Sequence, residues 1–159
     1  MSMEKFQQLI NEEKFEEARE LILKILDEDP NNKDVLLEAG FLHDKLGYTP
    51  QAITFYNQAL ENGIEGEKRK ELLLSLGSSY RAVGLYEQAR ETLEIGMSDY
   101  PNYTPFYIFF AMTLYNLGDT DLAMEILITK LLETTNDEDV LKYKNALSFY
   151  ASRLDETFN

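Results

Sequence analysis

His43 is the only histidine in the chain, and no cysteine accompanies it. One imidazole cannot make a histidine-pair metal site. The lack of cysteine removes thiolate ligands, thiol nucleophiles and disulfides together. Asp44 follows His43, but successive residues of a helix point to different faces, so the pair is no proton relay. His43 also falls where an internal repeat, set out below, puts a large core residue (Tyr80 and Leu114 are its counterparts), which predicts a packed, hydrogen-bonded imidazole rather than a catalytic base. Among the carboxylates, Asp27-Glu28-Asp29 sits near a predicted helix end and Asp137-Glu138-Asp139 at a predicted helix start, where acids favour the helix dipole. Neither has calcium-loop spacing with its central glycine. Gly63-Ile64-Glu65-Gly66-Glu67-Lys68-Arg69 lacks both the Gly-Lys-Ser/Thr ending and the preceding strand of a phosphate loop. The sequence therefore predicts no enzyme, no cofactor and no metal ion.

The elements that carry these residues belong to a protein of 159 residues, 44% hydrophobic and 28% charged, which suits one folded, soluble domain. Fifteen Lys and Arg against 29 Asp and Glu leave a net charge of −14. Such a surface repels phosphate backbones and anionic bilayers, so neither nucleic acid nor membrane is an expected partner. Solubility is the simple reading of the charge, and a basic partner is the sharper one. Met1 to Lys5 show no apolar signal segment, and the apolar run Phe106 to Met112 is far shorter than a membrane span. With the missing cysteine, this predicts a cytoplasmic location.

Self-similarity supplies the architecture. Ala18, Ala52, Ala89 and Ala123 are spaced by 34, 37 and 34 residues. Twelve positions before each stand Phe6, Gly40, Gly77 and Ala111; five before stand Glu13, Gly47, Gly84 and Gly118; twelve after stand Pro30, Ile64, Pro101 and Thr135. Small residues let two helices of a hairpin approach closely. Glycine supplies the tight turn between them, and proline stops the second helix. Larger residues fill the space: Leu36, Leu73 and Tyr107 in first helices, Tyr56, Leu93 and Leu127 in second helices.

The pattern predicts an all-α fold, a right-handed α-solenoid of four helix hairpins plus a C-terminal capping helix, in a single domain over 1–159. The repeats run over 3–32, 33–66, 70–103 and 104–135, and the last helix over 137–154, opened by Asn136. The inserted Glu67-Lys68-Arg69 is expected to lengthen the first helix of the third hairpin by about one turn. Thr49-Pro50 and Thr104-Pro105 read as N-caps followed by proline. The terminal helix carries Val140, Leu141, Ala146, Leu147, Tyr150 and Leu154, and it either covers the open face of the fourth repeat or folds into the binding groove.

These in-phase positions resemble the tetratricopeptide family across essentially the whole chain. Within it, Gly77-Ser78-Ser79-Tyr80-Arg81 with Gly84 and Tyr86, and the stretch Leu131 to Glu138, resemble a small stand-alone bacterial group of unassigned function. The resemblance implies a concave surface, lined by the first helix of each repeat, that grips peptides or helices. Carried over, the lining is Leu37, Phe41 and Asp44; Leu74, Ser78 and Arg81; and Ile108, Met112 and Tyr115, with Gln7 and Asn11 as first-repeat counterparts. Where one version of this groove holds carboxylates with Lys and Asn, this chain has Glu38, Glu71 and Ser75, so acidic peptide tails are not expected ligands.

The expected function is a non-catalytic adaptor or scaffold for a protein or peptide. The groove's apolar row, on a face expected to meet solvent, carries that reading. The alternative is a self-assembling module or homodimer, stacked through the groove or through Phe6, Leu9 and Ile10 on an end that no earlier repeat covers.

Overall fold

A computed structural model of the chain describes residues 2–159. Every regular element among the described residues is a helix, and the chain divides into two compact units, one ending at Gly84 and the other beginning at Leu85. Among the described residues no helix is long and apolar enough to cross a membrane.

The first unit holds α1 (Met3–Asn11), α2 (Phe15–Glu28), α3 (Lys33–Lys45), α4 (Thr49–Glu61) and α5 (Gly66–Ala82). Ser2 Oγ accepts from Lys5 N–H at 3.2 Å, and Asn32 Oδ1 from Val35 N–H at 3.2 Å, so short polar side chains open α1 and α3. Consecutive helices pack on one another, with α5 also against α3. Ala18, Ala52 and Ala59 are fully buried at the close approaches. A Cβ added at Gly40 would fall well inside van der Waals contact of the buried Tyr56 ring, which is why that position holds glycine. Phe6 and Leu9 belong to this core, at 1% and 4% exposure. The expected open apolar end at the first repeat is therefore absent, because α1 turns those side chains inward.

Gly47 and Gly118 close their turns in the left-handed region, at φ +84° and +88°. At Gly47 the N–H donates to Asp44 O and the Tyr48 N–H reaches back to His43 O; Gly118 and Asp119 repeat this with Tyr115 O and Leu114 O. Glu13 occupies the equivalent place and adopts the same turn, with φ +57° and bonds from Glu13 and Lys14 N–H to Ile10 O and Leu9 O. The repeat geometry has overridden the residue's own preference there. The insertion behaves as expected: α5 has 17 residues, against 13 in α3.

The second unit holds α6 (Tyr86–Asp99), α7 (Thr104–Asn116), α8 (Thr120–Thr134), α9 (Glu138–Lys142) and α10 (Lys144–Ala151). Phe106 is fully buried over Gly96 and lies between the rings of Tyr100 and Tyr103. Ala111, Leu114 and Ala123 form the contact of α7 with α8. Two expectations about helix starts fail. α4 and α7 begin at Thr49 and Thr104 themselves, after Tyr48 and Tyr103 and with no side-chain cap bond, so proline takes the second helical position. The terminal helix opens on Asp137, whose carboxylate accepts from Asp139 and Val140 N–H, rather than on Asn136, and it breaks at Tyr143 into α9 and α10. Leu127, placed by the repeat among the filling residues, is exposed.

Candidate peptide-binding surface

The first helices of the repeats that carry the expected lining are α3 and α5 in the first unit and α7 in the second. On α3, Leu37 is only 2% exposed and is part of the core, not of a solvent-facing row. Phe41, one turn on, is half-buried and meets the Tyr56 ring edge-on at 5.9 Å. Asp44 is a packing group: its Oδ2 accepts from Tyr56 Oη at 2.8 Å and from the buried Ser79 Oγ at 2.7 Å. Both bonds hold the carboxylate in place, and burial with the adjacent Asp44 charge pushes the Tyr56 hydroxyl far above its usual range. On α5, which packs against α3, Leu74, Ser78 and Arg81 are half-buried. In the first repeat Gln7 and Asn11 are exposed and hydrogen-bonded to each other at 3.1 Å.

On α7, Ile108 and Met112 are half-buried and Tyr115 is 65% exposed. Spaced by four and three residues, they fall along one stripe of the helix. Each unit thus carries a partly exposed apolar patch on its repeat-opening helices, with Leu37 buried beneath that of the first unit and Asp44 engaged with Tyr56 and Ser79.

The electrostatics beside Phe41 are acidic. Glu38 is half-buried, and burial pushes its carboxyl above the usual range; Lys68 opposes this, while Glu71 and Asp34 reinforce it. Lys68 spends its charge on Asp34, at 3.0 Å. An acidic ligand would add to that repulsion.

His43 is buried, as a core residue would be, and its ring faces Phe55 at 4.8 Å. Nδ1 lies 2.7 Å from Ala39 O, and Nε2 lies 3.2 Å from Arg19 Nε. Arg19 can only donate, so Nε2 accepts and the proton sits on Nδ1, giving a neutral imidazole. Burial pushes its pKa down, the Ala39 bond opposes this, and the Arg19 charge adds to it. A ring with both nitrogens occupied and no solvent contact has no means of taking a substrate proton. Among the described residues, no group of His, Asp and Glu side chains is arranged to hold a metal ion.

The sequence reading overlooked an apolar surface in the second unit. Met124, Leu127 and Leu131 on α8, with Tyr143, Phe149, Tyr150, Leu154 and Phe158 beyond it, are all exposed. The available signal was α8 itself, whose run Leu122 to Leu132 is apolar on nearly every side.

A family model described as a tetratrico peptide repeat matches residues 33–154. The chain belongs to the tetratricopeptide-repeat family. Members of this family are generally non-catalytic protein–protein interaction modules. Among solved structures, MamA matches with a TM-score of 0.77 at 20% identity, over 95% of this chain and 89% of that one. YrrB, described as a TPR protein with an unusual peptide-binding site, matches with a TM-score of 0.72 at 19% identity, over 93% of this chain and 75% of that one. A tetratricopeptide-repeat protein from Parabacteroides merdae matches with a TM-score of 0.73 at 17% identity, over 94% and 58% of the two chains. These likenesses are of fold. No curated protein matches the sequence significantly. As tetratricopeptide hairpins, α1–α2, α3–α4 and α7–α8 each place their two helices in direct contact.

Proposed function

We propose that this tetratricopeptide-repeat protein is a non-catalytic adaptor or scaffold whose repeat-opening helices hold a peptide or helix of another protein. The observation that carries this reading is the half-exposed apolar stripe of α7, with Tyr115 presented to solvent; the first unit has a patch of its own, Phe41 and Leu74 on α3 and α5. Aromatic and arginine side chains supply most of the energy at protein interfaces, so Phe41, Tyr115 and Arg81 are the anchors, with Ser78 as a polar contact. Met112, flexible and polarisable, would adapt to an apolar partner segment. The peptide-binding site named for YrrB supports the same use of a related fold. The lack of cysteine supports a reducing compartment such as the cytoplasm.

A pull-down from lysate with the wild-type chain and a folded Phe41→Ala/Tyr115→Ala variant tests this. The expected result is a specific protein held by the wild type and lost by the variant. The same protein held equally by both would sink the proposal. Self-assembly through the first repeat is disfavoured, since Phe6 and Leu9 are already buried within one chain.

A further inference from the structure

We infer that the end of the second unit, where α10 and the residues after it meet the start of α8, is a second docking surface, and that its occupant is a basic amphipathic segment of another protein. It is a different surface from the repeat-opening helices and does not depend on them. Phe149, Tyr150 and Phe158 pack ring against ring, with centroids 5.5, 5.5 and 5.6 Å apart, yet remain 46%, 47% and 53% exposed. Single exposed apolar residues are ordinary, but a mutually packed aromatic cluster in water is not.

Arg153 joins this cluster to a charged cavity. Its guanidinium stacks 4.3 Å over Phe149, and Nη1 donates to Phe149 O at 2.7 Å. The same side chain lines a cavity of about 150 Å³ with Asp121, Glu125, Asp155 and Glu156, one cation among four carboxylates. The Asp155 carboxylate, by a hydrogen bond and by its charge, holds the Asp121 carboxyl above its usual range. Like charges so close are relieved by a cation.

These features select the occupant. From Leu85 onward the chain has five Lys and Arg against thirteen Asp and Glu. A second copy would bring the same carboxylates to this rim, and a nucleic acid or an acidic peptide would be repelled. A helix with an apolar face and Lys or Arg beside it would cover the three rings and place a cation among the carboxylates. The exposed rings also attract cations over their faces.

The test uses the full chain and a synthetic Leu/Lys helical peptide with its leucines on one face, measured by calorimetry. Two control peptides accompany it: the same composition scrambled to lose the face, and a Leu/Glu version. The Leu/Lys peptide should bind, and the scrambled and acidic peptides should not. Phe149→Ala/Phe158→Ala should weaken binding by about tenfold or more, and Asp121→Asn/Asp155→Asn should weaken it and flatten its salt dependence. All four positions are exposed, and circular dichroism would confirm that each variant folds. Unchanged binding by both variants overturns the inference, as does equal binding of the scrambled peptide. So does loss of binding in Phe41→Ala/Tyr115→Ala alone, which would return the peptide to the repeat-opening helices. A wild-type dimer in sedimentation that dissociates on Phe149→Ala/Phe158→Ala would make the occupant a second copy.

Discussion

The two units are built from the same helix-pair plan and treat their large apolar side chains in opposite ways. Through α5, every large hydrophobic side chain described is buried or half-buried, including those of the short first helix; in the second unit Leu122, Met124, Leu127 and Leu131 of α8 and five more apolar side chains after Lys142 are in water. The difference lies in patterning. α2 alternates charged and apolar residues at helical spacing, so it has one face to bury and one to solvate. α7 has no charged residue and α8 has four, against seven in α2, so neither has as wide a solvent face to offer. Packing inside one chain can cover only part of such a helix, and the rest stays available to something else. The first unit covers its large apolar side chains more fully, and the second leaves more of them to solvent.

The largest effect that would sharpen this contrast comes from one phenylalanine in each unit. Phe6→Ala should cost about 3–5 kcal/mol in chemical denaturation, because the ring is fully enclosed. Phe149→Ala should cost under about 1 kcal/mol, because its ring is already half in water. Equal costs would break the comparison. Next in size, Gly40→Ala should destabilise by about 1–3 kcal/mol, since the Cβ meets the buried Tyr56 ring, pinned by its bond to Asp44. A thermal melt no lower than wild type would show that the ring can move aside.

A smaller effect should appear with pH. The folded pKa of His43 lies below its ordinary value of 6.5, so its contribution is present above pH 6.5 and is lost as pH falls from there through the lower folded value. The midpoint of urea unfolding should drop over that window. In His43→Leu, the residue type found at the matching place in α7, that component of the slope should vanish, whatever the variant's absolute stability. A slope retained in the variant would assign the titration elsewhere. Smallest, Glu13→Gly should stabilise by about 0.5–1 kcal/mol, as relief of the left-handed backbone slightly exceeds the entropy cost of glycine. A lower melting temperature would mean that the Glu13 side chain contributes something that its backbone strain conceals.

Much of the fold was legible because repeats punish error at a few positions. Ala18, Ala52, Ala89 and Ala123 are all buried, and Gly47, Gly84 and Gly118 sit at positive φ, so their spacing alone locates the hairpins. His43 was legible by alignment with Tyr80 and Leu114. The surface was less so. Leu37 and Phe41 are both apolar and one turn apart, yet one is enclosed and the other half-open. Periodicity puts them on one face and cannot tell their burial apart, nor find an outer face on α8. The break at Tyr143 has no proline or glycine to announce it. The helix starts at Thr49 and Thr104 misled because a threonine before proline has the composition of a cap without making its bond.

Stacked helix pairs ordinarily behave as a one-dimensional array, stable by the sum of nearest-neighbour terms and prone to fray from an end. Asp44 works against that. A single carboxylate oxygen on α3 accepts from a phenol of α4 and a hydroxyl of α5, so either neighbour that leaves gives up its bond to that shared oxygen. Asn57 of α4 adds a further tie to Tyr80 of α5. The consequence is cooperative: α3, α4 and α5 should open to solvent exchange as one block.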